Sequence, residues 1–318
     1  MTNYPGYGLT QTDSVDYRAE YTMTQKDIAR YNQGAEPMGF KGIFKNTNKE
    51  SVKCYATNMD FIESAEGDQT DWQKTKYGKR AIDLRIHGLG GAWTDEQLQD
   101  ATSEEINEWR VEAMQADQRL QAKVFFETTL GGDASGNYKG YWNGSTTDWN
   151  GTTATDPMDK PQRWKSNTFT TSHNHYDASG SATLALTDFT SLSEEITEHG
   201  YGLNGGKICF VSQGTAKDIA DLAGWTTAMT ANNLVDSIAN YALRSKVDNI
   251  LGFTMIVDDW IPDDYMFGLA IGTPSVAVRS PRFGGGGLKY YAGPFDEYPI
   301  KESYFKRRFG MVVSNRGA

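Results

Sequence analysis

The sequence TSEEINEWRVEAMQADQRLQAKVFFETTL, residues 102–130, sets the frame for interpreting the rest of the chain. Thr102 and Glu105 form a capping-box pattern at its start, and Gly131-Gly132 follow its end. At about 1.5 Å of rise per residue, such a helix is about 40 Å long, and no heptad is sustained along it. We therefore predict a spine helix that crosses the molecule. Its apolar residues recur at steps of three and four, the period of one helix face: Ile106, Trp109, Ala113, Ala116, Leu120 and Val124.

Upstream of this helix, the sequence predicts a long β-hairpin with strands around Ser51–Thr57 and Lys79–His87 and an acidic tip at Glu63–Asp71. A second capping-box pattern, Thr94–Gln97, predicts a short helical turn between the hairpin and the helix. A two-stranded ribbon is marginally stable alone, so its apolar face should be covered by another part of the protein or by another copy. The residues of that face in the second strand are Ile82, Leu84 and Ile86.

The N-terminal segment is rich in tyrosine and contains one short predicted helix, Thr24 to Tyr31, with Thr24 as its cap. Only Ile28, Ala29 and Tyr31 form an apolar side. The segment cannot form a core of its own, so it is either disordered or an arm lying on something else. Its tyrosines favour the arm.

Residues 131–180 are dominated by Gly, Ser, Thr, Asn and Asp, with Trp142, Trp149 and Trp164 among them. Connections in a compact domain are usually a few residues long, so this stretch is an insertion, an excursion pinned by aromatic residues, or a functional loop.

The rest of the chain is predicted to mix helices and strands. Helices followed by strands without regular alternation are typical of an α+β fold. The predicted elements are strand Ala182–Leu186, helix Thr187–His199, strand Lys207–Ser212, helix Thr215–Ala223, helix Asn233–Leu243, and strands near Ile250–Val257, Tyr265–Ile271, Ser275–Arg279 and Ser303–Ser314.

Composition limits the class of protein. A chain of 318 residues that is 38% hydrophobic and 12% aromatic is globular, with one large unit or two joined ones. Its net charge of −10 disfavours a broad footprint for nucleic acid or an anionic membrane. With no apolar run of membrane length and no signal-peptide pattern, we expect neither membrane insertion nor secretion. Cys54 and Cys209 are expected to be free thiols in a reducing cytosol.

Four short motifs contain residue types that take part in chemistry, and none forms a complete site. The histidine pair lacks the further ligands of a zinc site, and the acidic pairs are read as a polar turn rather than a Ca²⁺ or Mg²⁺ site. The glycine loop lacks the Lys-Ser/Thr and helix of a phosphate loop, and the serine has no triad partners. We therefore predict no enzyme and no catalytic, cofactor-binding or metal-ligating residue. The motifs are His173–His175, Asp258-Asp259 with Asp263-Asp264, Arg282–Gly287 and Ser212–Gly214.

One basic cluster lies near the C-terminus, where Lys301, Lys306 and Arg316 surround the pair Arg307-Arg308. Its possible roles are ion pairing within or between subunits, contact with a phosphate backbone, or a solvated strand edge that discourages pairing. We favour ion pairing because guanidinium groups bind carboxylates in a bidentate manner. The candidate assembly contacts are Arg307 and Arg308 on one side and Glu63, Glu66, Asp68 and Asp71 of the hairpin tip on the other.

The order of parts along the chain resembles that of the Hong Kong 97-type major capsid proteins of tailed viruses. An arm, a long hairpin, a spine helix, a central α+β part and a strand-rich end follow one another. The local likeness is carried by Leu186-Thr-Asp-Phe-Thr, Lys207-Ile-Cys-Phe-Val-Ser, Ile250–Pro262 with its Ile-Pro turn, and the arginine-bearing terminal strand Tyr304–Ala318.

The resemblance implies a division into five parts. These are an N-terminal arm at 1–40, an extended loop at 41–92, a peripheral domain at 93–229 with spine helix 103–130 and insertion 131–180, an axial domain at 230–300, and a C-terminal strand at 301–318 that returns to the peripheral domain. It also implies that arm and hairpin are buried only in an assembled shell.

The implied function is self-assembly, as hexamers and pentamers, into an icosahedral shell around double-stranded DNA in the virion, formed in the host cytoplasm. Scaffold, portal and decoration proteins are further implied partners, with no sequence-specific DNA binding. The acidic charge suits an inner wall that does not bind DNA tightly. Two alternatives remain open: an encapsulin-like nanocompartment, and a secreted carbohydrate-binding protein or glycosidase that uses residues 131–180.

Overall fold

The computed structural model describes residues 17–34, 42–55, 77–94, 102–130, 183–203, 206–220, 222, 246–250, 252–261, 263, 265–282, 286–292 and 300–315. The helices are α1 Tyr17–Gly34, α2 Ser103–Leu130, α3 Leu186–Thr197 and α4 Gln213–Ala220. The strands are β1 Phe44–Thr47, β2 Ser51–Tyr55, β3 Tyr77–Ala81, β4 Arg85–Thr94, β5 Lys207–Val211, β6 Lys246–Ile250, β7 Phe253–Val257, β8 Met266–Ala270, β9 Val276–Arg279, β10 Lys289–Ala292 and β11 Ile300–Val313.

The chain divides into two compact units, each assembled from three segments. The first unit is formed by Met1–Gly39, Asp83–Val124 and Arg279–Gly310, and the second by Phe40–Ile82, Phe125–Val278 and Met311–Ala318. α2 and β11 contribute residues to both units. Among the described residues, no helix combines the length and the apolar composition needed to cross a bilayer.

In the first unit, β11 is the middle strand of an antiparallel group. β10 pairs with one stretch of it, from Lys289 opposite Lys306 to Ala292 opposite Ser303. β4 pairs with a longer stretch, from Arg85 opposite Phe309 to Thr94 opposite Ile300. α1 and α2 pack on this group through a core whose buried residues are Ile28, Ala113, Leu288, Tyr290 and Phe305.

The predicted long helix is confirmed as α2, and so is its capping box. The backbone N–H of Thr102 donates to Glu105 Oε2 at 2.8 Å, and the N–H of Glu105 donates to Thr102 Oγ1 at 3.3 Å. This reciprocal pair satisfies donors that have no partner inside the helix. Of the predicted apolar face, Ile106, Ala113 and Val124 are buried. The polar residues Arg110, Asp117 and Gln121 are also buried, which the apolar pattern did not predict.

The predicted short helix capped by Thr24 is wrong in its start. α1 begins at Tyr17, and Thr24 lies inside it with its hydroxyl donating to the Glu20 carbonyl at 2.8 Å. A threonine can satisfy its hydroxyl in this way within a helix, so its presence does not require a helix start. The expectation that this segment is buried only on assembly is also wrong for α1, because Ile28 is 3% exposed in the first unit's core.

The predicted hairpin is confirmed for β2 and β3, which pair from Ser51 opposite Ala81 to Tyr55 opposite Tyr77. Its second strand is shorter than predicted, because β3 ends at Ala81 and β4 begins at Arg85. Ile82 is 2% exposed whereas Ile86 is 66% exposed, so they do not form one apolar face. Alternation shows that a segment is extended but not where it changes partner. The predicted tip, Glu63–Asp71, lies outside the described residues.

The second unit contains a four-stranded sheet in the order β6-β7-β5-β8. β5 runs parallel to β7 and antiparallel to β8, and β6 is antiparallel to β7. All five residues of β5 are buried, as expected for a central strand covered on both faces. The buried core on the α3 side of this unit is formed by Phe189, Ile196, Cys209, Val211, Ile219, Phe253, Met255 and Ala270.

Several boundaries in this unit differ from prediction. The strand expected at Ala182–Leu186 is wrong, because the described residues there are not a strand and α3 begins at Leu186. The N–H of Ala185 donates to Asp188 Oδ2 at 2.8 Å, which fixes the helix start. The strand expected near Ile250–Val257 is confirmed as β7 from Phe253 onward, whereas Ile250 ends a separate strand, β6, and Gly252 at φ +85° lies in the turn between them.

The predicted strands at β5, β8, β9 and β11 and the helices α3 and α4 are confirmed within a few residues. β10 was not predicted, because a four-residue strand after a glycine run is too short to show an alternation of apolar and polar residues. The helix expected at Asn233–Leu243, the insertion 131–180 and the short turn expected at Thr94–Gln97, beyond Thr94 itself, lie outside the described residues. The mixed helix-and-strand class is confirmed.

Candidate functional site

The candidate site is β11, where the predicted pair Arg307-Arg308 lies. Side chains on a strand alternate between its two faces. Ser303, Phe305 and Arg307 are buried, whereas Lys306 and Arg308 are exposed. The two arginines therefore belong to two different environments of the first unit, which we call the inward face and the outward face of β11.

On the inward face, Arg307 forms a buried ion pair with Asp117 of α2. Arg307 Nη1 lies 2.8 Å from Asp117 Oδ2, and the two side chains are 9% and 3% exposed. The same oxygen accepts a hydrogen bond of 2.7 Å from the Tyr31 hydroxyl of α1 and one of 2.9 Å from Gln121 Nε2. One carboxylate thus joins α1, α2 and β11.

The electrostatics of this cluster reflect its burial. Burial raises the pKa of Asp117 above its ordinary value, while the Arg307 guanidinium and the hydrogen bonds from Tyr31 and Gln121 oppose that rise. Burial also raises the pKa of Tyr31, and the neighbouring Asp117 carboxylate adds to the increase. The cluster is therefore a structural connection whose polar groups need one another, since an unpaired charge in this place would be costly.

A second buried guanidinium connects α1 to α2. Arg110 is 4% exposed, and its nitrogens lie 3.5 Å from Glu20 Oε2 and 3.3 Å from Asp27 Oδ2. Both carboxylates belong to α1. Together with the Tyr31 hydrogen bond to Asp117, these contacts attach α1 to the unit at two places along its length.

On the outward face, aromatic and basic side chains form one layer. The rings of Tyr291 and Tyr304 stack with centroids 5.1 Å apart, and Lys306 Nζ lies 4.7 Å from the centre of the Tyr304 ring. Lys289 lies opposite Lys306 in the pairing of β10 with β11. Such ammonium-to-ring contacts are favourable and hold the lysine in place.

β4 leaves the neighbouring part of the outward face open. Gly88 and Gly90 stand opposite Lys306 and Tyr304, and a Cβ added to Gly90 would meet nothing within 4 Å. Opposite Arg308, β4 presents Ile86, which is 66% exposed. The outward face is thus basic and aromatic, with one exposed apolar side chain at its edge.

The pattern of charges along the sequence does not identify the partner of Arg307. The sequence-based prediction grouped all the basic residues of β11 together and paired them with the acidic residues of the hairpin tip. The missed signal is the period of two in Phe305-Lys-Arg-Arg-Phe309, together with Asp117 and Gln121 on the buried face of α2. The tip residues Glu63, Glu66, Asp68 and Asp71 lie outside the described residues, so their pairing with Arg308 stays a prediction.

The other candidate motifs act in local structure where they are described. Ser212 Oγ accepts a hydrogen bond from the N–H of Thr215 at 3.1 Å, which caps α4, and donates to Asp263 Oδ1 at 2.6 Å. Asp258 Oδ1 accepts a hydrogen bond from the N–H of Trp260 at 3.1 Å, as expected for the polar turn predicted at this place. The thiol of Cys209 is buried, and burial raises its pKa.

Within the described ranges, no three acidic, histidine or cysteine side chains gather in a way that could hold a metal ion. His173 and His175 lie outside these ranges, as does part of Arg282–Gly287.

The sequence matches no protein-family model and no curated protein. The fold, by contrast, matches solved structures over most of the chain. A structure from Mycobacterium phage Patience is 20% identical with a TM-score of 0.60, and the match covers 97% of this chain and 88% of that one.

Two further matches have capsids named in their titles. For the capsid of an empty GTA particle computed with C5 symmetry, the identity is 14%, the TM-score is 0.53, and the coverage is 92% of this chain and 88% of that chain. For the capsid of Ralstonia phage GP4, the corresponding values are 10%, 0.52, 86% and 81%. At these identities the comparison concerns the fold alone. The protein described above therefore has the mixed helix-and-strand fold of phage and GTA capsid structures.

Proposed function

We propose that this protein is the major capsid protein of a tailed double-stranded DNA bacteriophage. It self-assembles into an icosahedral shell, and its role is structural rather than catalytic. The observation that carries the proposal is the shared fold with phage and GTA capsids over 86% or more of the chain. This observation favours a virion shell over a secreted carbohydrate-binding protein or a cellular nanocompartment.

The proposal includes the Hong Kong 97-type division of the chain. Residues 1–40 are the arm, 41–92 the extended loop, 93–229 the peripheral domain, 230–300 the axial domain, and 301–318 the returning strand. The 28 residues of α2 support a long, stiff peripheral domain. Because α1 packs within its own unit, α1 itself is not the part of the arm that would reach another subunit.

The binding partners of the protein follow from the proposed shell architecture. Copies of the chain meet as hexamers and pentamers, with scaffold, portal and decoration proteins added during assembly in the host cytoplasm, and DNA is enclosed without sequence-specific contacts. The net charge of −10 supports an inner wall that does not hold the genome tightly.

Electron microscopy of the purified full chain tests the proposed function. We expect closed shells, alone or with a scaffold protein, and virions in which this protein is the most abundant component. A chain that stays monomeric by light scattering under all assembly conditions, and is missing from virions, would contradict the proposal.

The hairpin tip is the part of the proposal that deletion tests most directly. Removing Glu63–Asp71 should leave a folded subunit with lost shell assembly, because the tip reaches over a neighbouring copy. The matched control keeps the chain length and removes only charge, by E63Q, E66Q, D68N and D71N. Normal shells from the deletion would exclude the overlap role, and normal shells from the control alone would assign that role to shape rather than charge.

A further inference from the structure

The outward face of β11, together with the same face of β10, carries three cations that have no ion-pair partner in the part of the chain that the structure describes. Lys289 and Lys306 stand opposite each other, and Arg308 follows two residues along the strand. The whole chain has a net charge of −10, so this local excess of positive charge runs against its overall balance. Lys306 and Arg308 are exposed and Lys289 is half-buried, and with Tyr291 and Tyr304 they form a surface suited to an anionic partner.

The exposed side of α2 carries the opposite charge. Glu104, Glu108 and Glu112 follow one another at steps of four residues and are all exposed. Like charges at this spacing destabilise a helix, so the row lowers the stability of the subunit. Val111 is 39% exposed and lies beside Glu108, three residues before it, on the helix surface. The row therefore gains from a cationic partner outside the subunit.

These two surfaces cannot meet within one subunit. The Trp109 ring of α2 lies 5.1 Å from the Phe305 ring and 6.4 Å from the Tyr290 ring, both on the inward face. α2 thus covers the inward face and directs its exposed side away from the sheet. The outward face of β11 points the other way, so one copy presents the acidic row and the basic face on opposite sides of its first unit.

The spacing of charges on the two surfaces matches. Two carboxylates four residues apart on a helix are separated by about 6 Å along its axis. Two cations two residues apart on a strand are separated by about 6.6 Å. Glu108 and Glu112 can therefore face Lys306 and Arg308 at the same time, with Val111 near Ile86. Gly88 and Gly90 leave room on the sheet for the approaching helix.

We propose that the exposed side of α2 in one copy docks on the outward face of β11 in a second copy. Glu108 and Glu112 pair with Lys306 and Arg308, and Val111 covers Ile86. The contact uses two different surfaces, so it is heterologous, and a heterologous contact that closes produces a ring. The inference rests on the proposed function, because it specifies one contact between the subunits of the shell.

Nucleic acid fits the outward face of β11 less well than the acidic row of α2 does. A phosphate backbone would have to approach a chain with a net charge of −10, and three cations would neutralise few phosphates. The acidic row, by contrast, is present in every copy and has the matching spacing.

Charge reversal and its rescue test the contact with the full chain. The sheet variant is K306E with R308E, and the helix variant is E108K with E112K. Each alone should fold with a Tm within a few degrees of the wild-type value and lose at least tenfold in shell yield, because like charges then meet. A 1:1 mixture should regain six-membered rings, in which the two variants alternate and every contact joins opposite charges. A five-membered ring cannot alternate, so closed shells are expected from the chain that carries all four substitutions.

The control K45E with K49E makes an equal charge change at two exposed lysines of the second unit and should leave shell yield unchanged. Shells from the wild-type chain and equally good shells from the sheet variant would overturn this contact while leaving the proposed function in place. Absence of wild-type shells and virions would instead contradict the function.

Two other results would also overturn the contact. Rescue of the sheet variant by E63K with E66K, and not by the helix variant, would make the hairpin tip the occupant. Normal shells from the sheet variant that package less DNA would make the genome the occupant. Analytical ultracentrifugation of the same mixtures reports the pairing of subunits before shells form.

Discussion

Arg307 and Arg308 are adjacent on β11 and carry the same guanidinium group, yet they lie in opposite environments. The Arg307 side chain is 9% exposed and pairs with Asp117, whereas Arg308 is exposed and has no ion pair among the described residues. A strand turns successive side chains to opposite faces, so one step along the chain changes a surface charge into a buried one. The role of a charged residue on a strand therefore depends on which face of the sheet its side chain occupies.

Replacing Arg307 with Ala should cause the largest loss of subunit stability of the variants considered for the two faces. Asp117 would then remain buried without its counter-charge, and we expect a loss of about 3–5 kcal/mol in the free energy of unfolding. Urea denaturation followed by tryptophan fluorescence measures this loss.

The double variant R307M with D117N is the control for R307A. It removes both charges and keeps an amide oxygen at position 117 that can accept from Tyr31 and Gln121, so it should be more stable than R307A. Equal destabilisation of both variants would show that packing, and not the unpaired carboxylate, causes the loss.

A second variant on the inward face, Y31F, removes one donor from Asp117 Oδ2 and leaves the ring. Hydrogen bonds to charged groups contribute about 1.5–3 kcal/mol, and two donors remain, so we expect a loss near the lower value. The same denaturation experiment on Y291F, whose hydroxyl belongs to the outward face, should give a change below about 0.5 kcal/mol. Similar losses for the two tyrosines would remove the distinction between the faces.

His87 on β4 provides a pH test of the first unit. Burial lowers its pKa below the ordinary 6.5, Arg85 and Lys123 lower it further, and Asp117 opposes them. The folded state therefore disfavours the imidazolium, so the stability contributed by neutral His87 is present above pH 6.5 and is lost as the pH falls through the lowered pKa.

We expect the Tm to fall on acidification from pH 7.5 to about 5, and H87Q to reduce that fall. The variant R85A removes the second cause of the lowered pKa and should reduce the fall by a smaller amount. An unchanged dependence of Tm on pH in H87Q would assign the acid sensitivity to other groups.

The smallest effect on stability is expected for R308A. Its side chain is exposed and unpaired among the described residues, so the free energy of unfolding should change by less than about 0.5 kcal/mol. Shell yield should nevertheless decrease, since the outward face is the proposed contact with a second copy. A loss of several kcal/mol would mean that Arg308 supports the subunit itself.

Local features of the fold could be predicted from the sequence. The capping box of Thr102 and Glu105 and the period of α2 both act over a few residues, so they are visible without a structure. The start of α1 was missed because Thr24 can cap a helix or bond within one. The division of the predicted strand into β3 and β4 was missed because alternation continues across a change of partner.

The candidate site was predicted only in part. The basic cluster of β11 was recognised as a site for ion pairing, but the partner of Arg307 is Asp117, which lies 190 positions away along the chain. The helical spacing of Asp117 could have placed it on the buried face of α2, but that spacing does not indicate which distant cation it meets.

The long helix, the mixed class of helices and strands and the acidic charge could all be read from the sequence alone. These depend on composition and on periods of two or 3.6 residues, which short segments carry independently of the rest. Only the tertiary structure decided that α1 belongs to the core of the first unit and that Arg307 and Arg308 lie on opposite faces. The physical reason is that burial and ion pairing depend on residues far apart in the chain, whose meeting is set by packing.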